Sequence, residues 1–458
     1  MRATLTHLVG RRAIATQVGL TLMVAALLVG CQGPGQQAHP VLNLDPVAAP
    51  VDAPLSIQLK GLEPSQQVTL RAHTSDLAGA TWSSSATYKA DDGGVLDLSK
   101  RKPGAGSYDT ADTMGLLWSL APDGGSTGGF FVPPVSGEEV VTLTAEVDGR
   151  QVAIRTLTRL VKSPDVSSQV EQLAEAGFRG EYFASSATSR HKALMVFGGS
   201  EGGLSTTILA SLLAGHGYPT LALAYFGLPG LPDALENIPL EYFVHALEWL
   251  RARPEVDPSH VLVLGISRGS EAALLLGSDF PTLVQGVIAC VPSSVANPGL
   301  GATGGFTPAA WTLAGKPVPT VTVAELGDPT PAGDPAAIIP VERIRGPVLL
   351  VAGGADRLWP SSAYARAIMV RLDGAHDSFL HQDLDYPAAG HAVGALVPNL
   401  PESDTMITSR YGLLNLGGTR AADAAAKADA WPKLLAFLTL AGQTGRDIAY
   451  SNRRSVYG

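Results

Sequence analysis

Val261-Leu262-Val263-Leu264-Gly265-Ile266-Ser267-Arg268-Gly269-Ser270-Glu271-Ala272-Ala273-Leu274-Leu275-Leu276 is the stretch on which the reading of this chain turns. Its four leading apolar residues predict a strand buried on both faces, and the run from Glu271 to Leu276 predicts a helix. Between them stands Gly-x-Ser-x-Gly, with Ser267 at its centre. A serine on so sharp a turn needs neighbours without side chains where strand and helix pass closely, which is what the two glycines supply. Its hydroxyl then projects above the edge of a sheet. The pentapeptide alone recurs by chance; the strand before it and the helix after it make it a nucleophile elbow.

A serine hydroxyl is a poor nucleophile until a base takes its proton, so a histidine must follow. Around such an elbow the chain order is Ser, acid, His. Downstream of Ser267 stand His376, His381 and His391. His391 closes the loop Tyr386-Pro387-Ala388-Ala389-Gly390, which follows a short strand-like segment. His376 lies among Asp373, Asp377 and Ser378 in a polar turn, and His381 has a structural place. The acid is Asp356, just past the apolar strand Val348-Leu349-Leu350-Val351, because active-site groups of open α/β sheets gather at the carboxyl ends of strands. Asp383 and Asp385 are rivals that sit within or beside a strand. The oxyanion of acyl transfer needs donors: the amide of Arg268 and one from the loop Gly198-Gly199-Ser200-Glu201-Gly202-Gly203, with Gly199 or Ser200 supplying it. Glu201 either lines the pocket or caps the next helix. The loop lacks the Lys-Ser/Thr of a phosphate cradle, and no dinucleotide fingerprint fits. Neither a metal nor a cofactor is expected.

Outward from this centre, buried strands alternate with helices over residues 163–458, which predicts a mostly parallel, doubly wound sheet of the α/β-hydrolase class. Before it, alternating segments such as Ser56-Ile57-Gln58-Leu59 and Val68-Thr69-Leu70-Arg71-Ala72, joined by Gly, Pro and Asp turns, predict an all-β sandwich over residues 46–162. At the start, Arg11 and Arg12 precede an apolar run from Val18 to Val29 that ends in Gly30-Cys31. A positive flank and a short apolar run read as a secretory signal over residues 1–30, too short for a comfortable membrane span. Its end resembles the lipobox of bacterial lipoproteins, which implies lipid attachment at Cys31 and an exported, membrane-anchored protein. Residues 31–45, rich at first in Gly, Pro and Gln, read as a tether. Cys290, the other cysteine, ends an apolar run and reads as a small buried hydrophobe. The net charge of −9 leaves no basic stripe for nucleic acid.

Several further stretches carry a resemblance: Met114-Gly115-Leu116-Leu117-Trp118, Leu240-Glu241-Tyr242-Phe243, the elbow through Glu271, Ser294-Val295-Ala296-Asn297, Ile339-Pro340-Val341-Glu342-Arg343 and Asp429-Ala430-Trp431. With them the chain resembles the acyl-CoA thioesterase / bile acid-CoA:amino acid N-acyltransferase family over nearly its whole mature length. The resemblance implies a β-sandwich joined to an α/β-hydrolase domain, and a triad falling on Ser267, Asp356 and His391. Its amino-acid-conjugating branch has cysteine where this chain has Ser267, which favours hydrolysis of an acyl thioester or ester, a small-molecule substrate. An exported carboxylesterase, an acyltransferase and an inactive surface-anchored binding protein are the other readings. No protein partner is implied. A CoA leaving group would need cations, and Arg268, Arg343, Arg345 and Arg357 are the candidates near the expected mouth.

Overall fold

Successive residues of the apolar strands in the C-terminal half face opposite ways. Leu194, Val196, Leu262, Leu264, Ile288, Leu349 and Val351 pack into one core; Met195, Phe197, Val261, Val263, Val287, Ala289 and Leu350 pack into another. Both faces are therefore covered, which is why these strands read as continuous apolar runs. The computed structural model describes residues 39–125, 130–134, 137–186 and 189–441. In it the strands form one eight-stranded sheet in the order Val166–Glu171, Arg179–Ser185, Thr220–Ala224, His191–Phe197, Val256–Ile266, Val287–Cys290, Val348–Gly353, His381–Tyr386. The last six run parallel, while the pairings of the first two are antiparallel. Helices Thr207–Gly215 and Arg420–Leu440 cover one face. Leu240–Arg251, Arg268–Asp279 and Ser361–Gly374 cover the other. This is the α/β-hydrolase architecture. Because the central strands are parallel, the loops after Phe197, Ile266, Gly353 and Tyr386 all open on one rim of the sheet.

The N-terminal half packs a three-stranded sheet (Val41–Asp45, Ser56–Lys60, Val95–Asp97) over a larger one whose long members are Arg150–Leu160, Glu138–Val147, Gln67–Ser75 and Thr81–Lys89. Leu42, Ile57, Leu59 and Leu96 from the first meet Val68, Leu70, Trp82, Tyr88, Val141 and Leu143 from the second in one core. Val41–Asp45 corrects the expected tether, which ran to residue 45. Leu42 and Leu44 alternate inward and the segment pairs antiparallel with Ser56–Lys60, so it belongs to the sandwich. The signal segment 1–30, Cys31 and the tether as far as Ala38 lie outside the described residues. The last sandwich strand ends at Leu160, and the first strand of the large sheet begins at Val166.

Two of the quoted motifs join the halves. Trp431 Nε1 donates to Asp52 Oδ2 at 2.9 Å, and His216 bonds the same oxygen. The carbonyl of Trp118, which ends the short helix Gly115–Trp118, accepts from Glu402 N at 2.9 Å. Arg420 reaches the carbonyls of Trp118, Leu120 and Glu402. Among the described residues, no helix is long and apolar enough to cross a membrane.

Candidate active site

Ser267 follows directly on the strand Val256–Ile266 and sits at φ 55°, ψ −122°, a conformation sparsely populated for any residue with a side chain. What holds it there is close packing. A Cβ on Gly265 would lie 2.1 Å from Gly269 O, and one on Gly269 would lie 2.3 Å from Gly198 O. The glycines thus let the strand, the helix Arg268–Asp279 and the Gly198–Gly203 loop meet in one place. Ser267 N is fixed by Cys290 O at 3.0 Å on the adjacent strand.

His391 Nε2 stands 2.9 Å from Ser267 Oγ, and its Nδ1 stands 2.8 Å from Asp356 Oδ2. The Asp356 side chain is fully buried, and its other oxygen accepts from Leu358 N at 2.9 Å and Trp359 N at 3.4 Å. The carboxylate is thus oriented through both of its oxygens. Trp359 in turn donates from Nε1 to Val291 O at 3.1 Å and sets its ring 5.8 Å from the imidazole, edge-on. Asp383 and Asp385 are elsewhere: Asp385 bonds Ser362 and Arg366 on the helix Ser361–Gly374. His381 lies 3.6 Å from Asp377, away from Ser267.

The acid and histidine loops are locked to each other by a third strand of chain. His391 N donates to Leu416 O at 2.8 Å, and Asp356 bridges Gly417. Gly417 and Gly418 have φ of 70° and 64°, and a Cβ on either would fall within 2.2 Å of the backbone at Ala355 or Gly390. Only glycine fits such a wedge. From the helix beyond, Asp423 Oδ1 accepts from Gly390 N at 2.7 Å.

The Gly198–Gly203 loop faces the elbow: a Cβ on Gly199 would lie 2.8 Å from that of Ser267. Its amides are not equivalent. Gly199 N donates to Glu201 Oε1 at 2.9 Å, an oxygen that also accepts from Ser205 at 2.6 Å. Gly199 is therefore withdrawn as an oxyanion donor; its amide already has an acceptor, and Glu201 braces the loop. The amides of Ser200 and Arg268 have no such acceptor among the described residues. Beneath the loop, Tyr225 Oη donates to Gly198 O at 2.8 Å and Gly199 O at 3.0 Å.

The sequence reading missed a buried cluster behind the elbow. Arg268 Nη1 and Nη2 donate to Pro298 O and Asn297 O, both at 2.9 Å, and Nε lies 3.1 Å from Glu271 Oε1. Glu271 is fully buried and also receives Asn297 Nδ2 at 2.8 Å and Trp311 Nε1 at 3.1 Å. Burial pushes its carboxyl above the usual range, against the pull of Arg268, Asn297 and Trp311. A charged pair in the first turn, just before the apolar run Ala272–Leu276, was the available signal. Of the arginines expected at the mouth, Arg268 is buried, and Arg343 and Arg345 precede the strand Val348–Gly353 at the sheet's opposite end. Arg357, exposed beside Asp356, is the one that remains.

Residues 52–172 match the acyl-CoA thioester hydrolase/BAAT N-terminal region, and residues 238–442 match the BAAT / acyl-CoA thioester hydrolase C-terminal model. Acyl-coenzyme A thioesterase 1 of Mus musculus is 32% identical over 420 residues, covering 86% of this chain and 95% of the mouse protein. Mitochondrial acyl-coenzyme A thioesterase 2 of Homo sapiens is 32% identical over 412 residues, covering 84% of this chain and 81% of the human one. Among solved structures, a putative dienelactone hydrolase from Klebsiella pneumoniae aligns with 60% of this chain and 98% of its own at TM-score 0.42 and 16% identity. With both halves matched in order and relatives aligned across most of their length, the chain belongs to the acyl-CoA thioester hydrolase/BAAT family.

Proposed function

We propose that the protein hydrolyses acyl thioesters through an acyl-serine intermediate on Ser267. The observation that carries this reading is the continuous hydrogen-bond chain from the Asp356 carboxylate through His391 to the Ser267 hydroxyl. Ser267 Oγ attacks the thioester carbonyl carbon while His391 Nε2 takes its proton. The charge that develops on the carbonyl oxygen is met by the amides of Arg268 and Ser200. Collapse breaks the C–S bond, and the proton on His391 passes to the departing sulfur. Water then attacks the acyl-serine, giving a proton to His391; the acid departs and Ser267 regains its hydrogen. Asp356 keeps Nδ1 protonated and stabilises the imidazolium. Relatives named for acyl-CoA support the thioester bond, and serine at the nucleophile supports water as acceptor.

The carrier is argued from charge. Several phosphates of a CoA group call for a convergent cationic cradle, whereas among the described residues Arg268 is buried, Arg343 and Arg345 lie before the strand Val348–Gly353, and Arg357 beside Asp356 stands exposed without such a cluster. The enzyme is thus expected to accept uncharged thioesters, and simple esters, as well as acyl-CoA. Ser267→Ala should abolish both turnover and labelling by a fluorophosphonate, with thermal stability retained. Labelling that persists in the variant would remove Ser267 as nucleophile. A strong preference for long-chain acyl-CoA over an uncharged thioester of the same acyl group would overturn the reading of the carrier. The N-terminal pattern supports export and anchoring through a lipid on Cys31. Cys31→Ser should release the protein from membranes or block signal cleavage; a processed variant that stays membrane-bound would refute the anchor.

A further inference from the structure

Glu201 belongs to the loop that faces the elbow, and only one oxygen of its carboxylate is used. Oε1 accepts from Gly199 N at 2.9 Å and from Ser205 Oγ at 2.6 Å, the two bonds that brace the loop ahead of the helix Thr207–Gly215. Oε2 has no hydrogen bond, and the carboxylate makes no ion pair among the described residues. This oxygen lies close to the nucleophile. A Cβ on Gly199 would stand 2.8 Å from Ser267 Cβ and 3.2 Å from Glu201 Oε2, so a single carbon placed between the two would touch both. Glu201 is exposed and Ser267 is half-buried, so both are open to what approaches the elbow.

The surrounding cations are engaged elsewhere. Arg268, next to Ser267, is buried and spends its guanidinium on Pro298 O, Asn297 O and Glu271. Arg410, at the tip of the hairpin of Met406–Ser409 and Gly412–Asn415, donates to Asp233 O at 3.0 Å and stands over the Phe226 ring. A Cβ on Gly227 would lie 3.6 Å from Gly202 Cα and 3.7 Å from Arg410 Nη1, which sets this arginine beside the loop without pairing it to Glu201. His391 is turned to Asp356. A full charge acts over several ångströms without contact. An anionic leaving group arriving at Ser267 therefore meets Glu201 as a like charge, and a cationic one meets an opposite charge.

We propose that Glu201 sets the charge selectivity of the site, favouring acyl thioesters whose leaving thiol carries a cation over those whose leaving thiol carries an anion. The proposal rests on the acyl-serine reading above. Its test places one medium-chain acyl group on two thiols of similar length and opposite charge, thiocholine and 2-mercaptoethanesulfonate. At low ionic strength the ratio of kcat/KM values should favour the thiocholine ester in the wild type, and added salt should shrink it. Glu201→Gln keeps an oxygen for Gly199 N and removes the charge, so the ratio should fall on the order of tenfold. Glu201→Asp keeps the charge and should retain most of the preference. A general loss of fold or activity cancels from the ratio, so a bracing role alone would leave it unmoved. A wild-type preference for the sulfonate, a ratio insensitive to salt, or a Gln variant with the wild-type ratio overturns the role of Glu201 alone. If the Gln variant does not fold, the salt series on the wild type decides. A wild type that hydrolyses neither thioester, or that a fluorophosphonate does not label, overturns the acyl-serine thioesterase reading and this proposal together.

Discussion

Ser267 is held at positive φ by its neighbours rather than by its own preference, so the hydroxyl's position is set before any substrate arrives. Asp356 is placed just as tightly, with one oxygen for the imidazole and the other for two backbone amides. Asp356→Asn keeps the shape but presents an amide where His391 Nδ1–H needs an acceptor, or reverses the tautomer. We expect kcat to fall on the order of 10³- to 10⁴-fold with little change in melting temperature, measured by steady-state kinetics alongside thermal denaturation. Activity within tenfold of wild type would mean that the carboxylate does not orient the base. That Asp356 and His391 come to Ser267 is legible in the sequence, because both follow strands of one parallel sheet and their order is fixed by the chain. That Gly199 spends its amide on Glu201 is not legible. It depends on one side-chain conformation, and the glycine-rich text is the same either way.

At the scale of elements, the helix Arg420–Leu440 reaches the site through its first turn. Thr419 caps it by accepting from Ala422 N at 3.1 Å, and Asp423 in that turn accepts from Gly390 N. Burial pushes the Asp423 carboxyl up to about 6, with the Gly390 amide and Lys427 pulling it back and Glu402 and Asp356 adding to the rise. A carboxyl that holds its proton more tightly when folded contributes most stability below about pH 4, and that contribution is lost as pH rises toward about 6. Asp423→Asn keeps an acceptor for Gly390 and should flatten this decline, as read from urea midpoints at the two ends of the window. Some slope should persist, since burial also pushes Asp383 up to about 6. A slope identical to wild type would show that Asp423 titrates normally. The long elements here follow from periodicity, as the helix Leu240–Arg251 and the strand Val348–Gly353 illustrate. Thr81–Lys89 is harder to read, because Ser84 and Ala86 stand where larger apolar residues would have marked the buried face. The 406–415 hairpin is equally quiet, its pairing set by Leu416 and Gly417 locking onto distant loops.

Over the whole molecule, the sandwich supplies none of the three residues in the hydrogen-bond chain, yet it is fastened to the half that does. Asp52 is the clearest rivet. Although burial acts to raise its pKa, the bonds from His216 and Trp431 bring it below the usual value. Trp431→Phe removes one donor and leaves the carboxylate under-satisfied, so we expect about 1–2 kcal/mol of destabilisation in chemical unfolding, with kcat changed far less than stability. No loss of stability would mean that this bond does not hold the halves together. Arg420 makes the coupling more than mechanical. Its half-buried guanidinium is satisfied largely by carbonyls of Trp118 and Leu120 from the sandwich, two residues from the Gly418 wedge against Gly390. A recombination event crossing over between residues 160 and 166 would look harmless in sequence, since it cuts neither sheet. The hybrid would inherit a guanidinium whose acceptors belong to another lineage, next to the loop that presents His391. In heredity, then, the two halves should travel as one locus, exchanged together or not at all.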